Sequence, residues 1–90
     1  MFYLFNNGKI YGLNTANLPM CASPTDDASN GYSSYSEAEY DLNEAVRTVQ
    51  NNSLGFPESQ VDDSLRLLNH LEILPDIDER IMNIMSHKNS

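Results

Sequence analysis

The segment from Phe2 to Leu13 constrains the fold more than any other stretch of this chain. Phe2-Tyr3-Leu4-Phe5 and Ile10-Tyr11-Gly12-Leu13 are aromatic and aliphatic runs, and Asn7-Gly8 lies between them. Asn and Gly both tolerate positive φ, which a two-residue type I′ turn requires, and the twist of that turn matches the strands it joins. An antiparallel β-hairpin over residues 2–13 is therefore expected. An exposed edge of that hairpin would be a place for another chain to pair.

From Asn14 to Ser33 the chain is rich in Asn, Ser, Thr, Pro, Asp and Gly, and Pro19 and Pro24 interrupt any regular element. A structureless stretch of this length is unusual in a small domain. It reads as a binding loop, a mobile segment or the site of a short unrecognised strand, and Gly31-Tyr32-Ser33 is the candidate for a third strand on the hairpin's edge.

Three helical patterns follow. Ser34 and Glu37 have capping-box spacing, and behind them Ala38, Leu42, Ala45, Val46 and Val49 recur at helical intervals until Asn51-Asn52-Ser53. This predicts a helix over 35–51. A second helix, predicted over 58–74, starts after Pro57 and carries Val61, Leu65, Leu68, Leu71 and Leu74 as its stripe. Pro75 should end it, because a residue before proline is pushed out of helical φ/ψ. A third helix, over 77–86, has Asp76 and Glu79 as an acidic capping box and Ile77, Ile81, Ile84 and Met85 as its apolar face. The expected fold is α+β: an N-terminal antiparallel hairpin, with or without a third strand, packed on two to three amphipathic helices. Residues 1–90 form one small domain, with Leu42, Val46, Val49, Leu65, Leu68, Leu71, Ile81 and Ile84 sharing one core.

Thirteen Asp and Glu stand against five Lys and Arg, a formal net charge of −8 on 90 residues. Such a field attracts cations and repels nucleic acid and anionic membranes. The basic residues Lys9, Arg47, Arg66, Arg80 and Lys88 are scattered, so no phosphate-binding cluster exists. His70 and His87 have no carboxylate or cysteine at ligand spacing, which argues against zinc. The serines fall in turns and caps, with no nucleophile elbow. No catalytic residue, cofactor or metal site is expected, and the chain reads as a non-enzyme. The apolar start breaks after five residues, too short for a signal peptide, and no run approaches the length that spans a bilayer. A cytoplasmic protein is expected, which also suits the lone cysteine, Cys21.

Glu37, Asp41 and Glu44 occupy i, i+4 and i+7 of the first predicted helix and so share one face. Neighbours on such a face stand about 6 Å apart, on the scale of the phosphates along a nucleic-acid strand. With Glu39, the Asp26-Asp27 pair and the tyrosines Tyr35 and Tyr40, this row is the candidate partner-binding surface. Solvated helix charges, with Glu37 and Glu39 favouring the positive end of the helix dipole, are the plain alternative. Tyr32, just before the helix, belongs to the same tyrosine cluster. Tyrosine is a frequent interface anchor because it buries much area at low entropic cost.

No family's motif residues can be matched one by one. As a general type, a small acidic chain without catalytic residues resembles the inhibitors that phages and mobile elements use against host defence, anti-CRISPR proteins among them. That resemblance implies a basic partner, such as the nucleic-acid groove of a defence effector or nuclease, blocked by a nucleic-acid mimic. The alternative is a small structural or adaptor protein, such as a phage assembly chaperone or a homodimer whose hairpin edges pair.

Overall fold

The computed structural model describes residues 1–16, 18, 20–25 and 30–88, with side chains through residue 86. The hairpin forms as Asn7-Gly8 dictates. β1 (Phe2–Asn6) and β2 (Lys9–Leu13) pair antiparallel, and the turn residues have φ of 52° and 82°. Two further strands extend it. β3 (Ala22–Pro24) pairs with β2, and β4 (Glu72–Pro75) pairs with β1, so the antiparallel sheet has the order β3-β2-β1-β4. The helices are α1 (Tyr35–Asn51), α2 (Glu58–His70) and α3 (Glu79–Lys88). The fold is α+β.

Side chains alternate across a pleated sheet, and here the alternation separates two cores. Leu4 is opposite Tyr11 on one side and Ile73 on the other, and Leu13 is opposite Ala22. These residues pack with Cys21, Ala45, Val49, Leu68 and Leu71 beneath α1 and α2. Phe5 is opposite Ile10, Tyr3 is opposite Leu74, and all four meet Ile81 of α3 on the opposite face. Ile84 and Met85 pack against the same cluster. The single core expected from the sequence is thus split. Ile81 and Ile84 lie on one side of the sheet, and Leu42, Val46, Val49, Leu65, Leu68 and Leu71 on the other.

Three helix expectations are corrected. α2 ends at His70, not at 74. Leu71 is already extended at φ −73° and ψ 132°, and residues 72–75 are a strand. Leu68, Leu71 and Leu74 fit a helical period, yet continuing the helix would leave one edge of β1 unpaired, and the pairing wins over local propensity. α3 starts at Glu79, not at 77, and Ile77 stands 80% exposed in the preceding turn rather than on an apolar stripe. Its first turn is capped by Asp78, whose Oδ1 accepts the Arg80 N–H at 2.9 Å. Asp76 is drawn instead to residue 1: its N–H donates to the Met1 carbonyl and its carboxylate meets the Met1 ammonium.

The third strand also differs in place. It is Ala22–Pro24 on the β2 side, inside the stretch expected to be irregular, while Gly31-Tyr32-Ser33 forms no strand. Tyr32 alone makes a two-way bridge to Phe2, each N–H donating to the other's carbonyl at 2.7 Å. The β1–β2 ladder runs only from Leu4↔Tyr11 to Asn6↔Lys9, and the Tyr32 segment takes the place beside Phe2 that β2 gives up. Gly31 permits this approach. A Cβ there would stand 2.8 Å from Cε1 of the buried Tyr3 ring, closer than side chains tolerate.

Candidate functional site

α1 is held by a cap at each end and by burial along its inner side. Ser34, in extended conformation, caps the helix by accepting the Glu37 N–H at 3.2 Å. Among the described residues, the Glu37 carboxylate takes its own hydrogen bond from Ser33 Oγ at 2.6 Å, not from the Ser34 N–H, so the expected capping box is half formed. The helix ends at Asn52, which adopts left-handed φ/ψ of 46° and 46°. The Asn52 side chain donates to the Phe56 carbonyl and accepts the Phe56 N–H, both at 2.8 Å. Ala38, Ala45 and Val49 bury the inner side of the helix. Glu37, Asp41 and Glu44 then run along its flank.

That flank carries two shallow, open depressions. Tyr32, Ser36, Glu37, Tyr40 and Asp41 line an open depression of about 480 Å³. Leu13, Thr15, Asp41, Glu44, Ala45 and Thr48 line a second, of about 180 Å³. The two meet at Asp41. Tyr32 closes one wall, and its hydroxyl donates to Asp41 Oδ2 at 2.7 Å. Burial, and then the Asp41 carboxylate it faces, push the Tyr32 phenol well above its ordinary range, so it remains a protonated donor. Tyr32 is the residue of the tyrosine cluster that lies outside the expected binding surface. Its signal was tertiary: the bridge to Phe2 brings it to the helix.

The expected binding residues are distributed unevenly. Glu37, Tyr40, Asp41 and Glu44 come together in the groove. Tyr40 is 67% exposed at its lip. Glu44 is not a bare anion, because Arg47 one turn on donates to it at 2.6 Å. Glu39 lies roughly 200° around the helix from Glu37, on the far flank. Tyr35 turns the other way as well, with its ring edge-on to Phe2 at 6.1 Å between centroids. Asp26 and Asp27 lie outside the described residues.

Chemically, the groove offers carboxylate acceptors beside two phenol rings. That combination suits a guanidinium or ammonium group, which ring faces and carboxylates both attract. Among the described residues no group of three or more His, Cys, Asp or Glu could hold a metal ion, and no helix is long and apolar enough to cross a membrane. Cys21 is fully buried with its thiol toward the Ser64 carbonyl at 3.7 Å, and burial pushes its pKa up, which makes it a packing residue and not a nucleophile. No protein-family model, curated protein or solved structure matches the chain, so the functional reading rests on this geometry.

Proposed function

We propose that this chain is a small, non-enzymatic acidic protein that binds a basic nucleic-acid-handling protein through the α1 groove and blocks it, in the manner of the phage and mobile-element inhibitors it resembles in type. One observation carries the reading: Tyr32 orients Asp41 at the centre of a carboxylate row in a shallow, open depression, with Glu37 and Tyr40 beside it. A row of this shape receives cationic side chains of the partner. It does not need to lie inside the partner's own phosphate groove. The net charge of −8 supplies long-range attraction to such a surface.

The test separates charge from fold. Glu37→Gln, Asp41→Asn and Glu44→Gln combined remove the charges while leaving an amide oxygen to accept the Tyr32 hydroxyl. Parent and variant are compared in pull-downs from the native host at low and high salt, and in NMR titrations with a hexa-arginine peptide. The expected result is retention of one basic protein that is lost at high salt and in the variant, with arginine-peptide shifts confined to the groove. Equal capture by the folded variant, or shifts spread over the whole acidic surface, would sink the proposal.

A further inference from the structure

The order β3-β2-β1-β4 makes β3 and β4 the sheet edges, and each carries a proline. Whether a proline blunts an edge depends on the direction its nitrogen faces. Along an antiparallel strand, residues alternate between bonding the neighbouring strand and facing away from it. At β4 two observations fix that alternation. The Asp76 N–H donates to the Met1 carbonyl at 2.8 Å, so Asp76, Leu74 and Glu72 turn their main-chain groups toward β1. Phe2, opposite Pro75, spends its own N–H and carbonyl on Tyr32, away from β4. Pro75 and Ile73 therefore face outward, and Pro75 has no N–H to offer.

The β3 edge follows the same logic. Asn14 N–H donates to the Cys21 carbonyl and Thr25 N–H to the Ile10 carbonyl, so Ser23 faces β2 while Ala22 and Pro24 face outward. Ala22 is 1% exposed, which puts its N–H out of reach, and the exposed Pro24 has none. The hairpin has no free edge either, since β1 is covered by β4 and β2 by β3.

From this arrangement we infer that the sheet of the described residues is closed to strand addition at both edges, so a partner that docks on this sheet meets side chains and does not extend it through main-chain hydrogen bonds. A second copy pairing edge to edge is excluded by the same geometry. The device suits a chain whose edge strands are only three and four residues long, because short edges with outward prolines are how sheets avoid unwanted pairing.

Pro75→Val tests it, since the variant restores an outward N–H on a strand-favouring residue and leaves the β1 side of β4 unchanged. Molar mass is measured by light scattering from micromolar to millimolar protein in high salt, which screens self-repulsion, alongside amide hydrogen exchange and a thermal melt. The parent should stay monomeric throughout, with the Ile73 amide exchanging freely at every concentration. The variant should melt as a folded protein and gain mass with concentration, while the amides of residues 73 and 75 become protected. A parent that associates with Ile73 protected would overturn the inference. So would a folded Pro75→Val that stays monomeric at millimolar concentration with residue 73 unprotected.

Discussion

The split core makes a quantitative demand on pairs of mutations. Val49 of α1 is 2% exposed and packs beneath the helical pair, while Ile81 of α3 is fully buried on the other face of the sheet. Val49→Ala removes two methyl-sized groups, about 1.6 kcal/mol of transfer free energy at ~0.8 per carbon, and the residual cavity raises the cost to roughly 2–3 kcal/mol. Ile81→Val removes one carbon and costs about 0.5–1.5 kcal/mol. A 90-residue chain has on the order of 5–13 kcal/mol of stability to lose, so the double variant should still fold. With the sheet between the two sites, the penalties should add to within about 0.5 kcal/mol. The assay is a guanidinium unfolding cycle on parent, both single variants and the double, supported by melting temperatures. At about 4–8 °C per kcal/mol the double variant should melt roughly 10–35 °C below the parent. A coupling energy of ~1 kcal/mol or more would mean that the two residues share one core, and would refute the two-face packing.

Four further outcomes follow from individual residues. Asn52→Ala should cost roughly 2–4 kcal/mol, because it loses both hydrogen bonds to Phe56 and strains a left-handed position; Asn52→Gly, free of the strain, should cost about half as much in the same chemical melts. Gly31→Ala should destabilise by about 1–3 kcal/mol through its clash with the Tyr3 ring, and NMR should show Tyr32 displaced from Asp41. Tyr32→Phe should be less stable than the parent at neutral pH, and the gap should close above pH 10.0. There the unfolded chain ionises this tyrosine while the folded chain, whose pKa is raised, still holds the proton, so its contribution is lost as pH climbs. Asp78 behaves in the opposite sense. Arg80 holds its carboxyl below the ordinary 3.8, so its contribution is present at neutral pH and fades as pH falls through the lowered value, and Asp78→Asn should flatten the acid arm of the stability profile.

The sequence was legible where local chemistry decides. Asn7-Gly8 fixed a turn that needs two positive φ values, and Ser34 marked the start of α1 by a hydroxyl that caps it. It was illegible where partners distant in the chain decide. Glu72-Ile73-Leu74 carries no signal that separates the last turn of a leucine-striped helix from a strand, because both periods suit so short an apolar run. Only β1, some seventy residues earlier, makes the strand the better state. Ala22–Pro24 was hidden for a similar reason: three residues bounded by proline show no alternation to read. Ile77 illustrates the cost of trusting periodicity alone, since its helical spacing to Ile81 stops meaning anything once Asp78, not Asp76, caps the helix.

The groove was half legible, and the missing half changes its chemistry. Spacing alone put Glu37, Asp41 and Glu44 on one face, and a bare row of carboxylates on a helix is convex and fully solvated. Such a row is worth little to a partner, because exposed charge pairs gain only about 0–1 kcal/mol each. What raises the value of this row is the segment from Gly31 to Ser33 laid against it. Tyr32 and Ser33 hand hydroxyl hydrogen bonds to Asp41 and Glu37, fixing carboxylate orientations that would otherwise be lost to rotamer entropy on binding. Asp41 itself stays exposed, so a cation can reach the carboxylate that Tyr32 orients. The preorganisation depends on a two-way bridge between Phe2 and Tyr32, and that bridge exists because β2 leaves β1 after Tyr11 and because residue 31 has no side chain. The proposed binding surface is thus a product of the sheet's own divergence, and on that proposal substitutions that close the β1–β2 ladder should weaken partner binding without touching a single carboxylate.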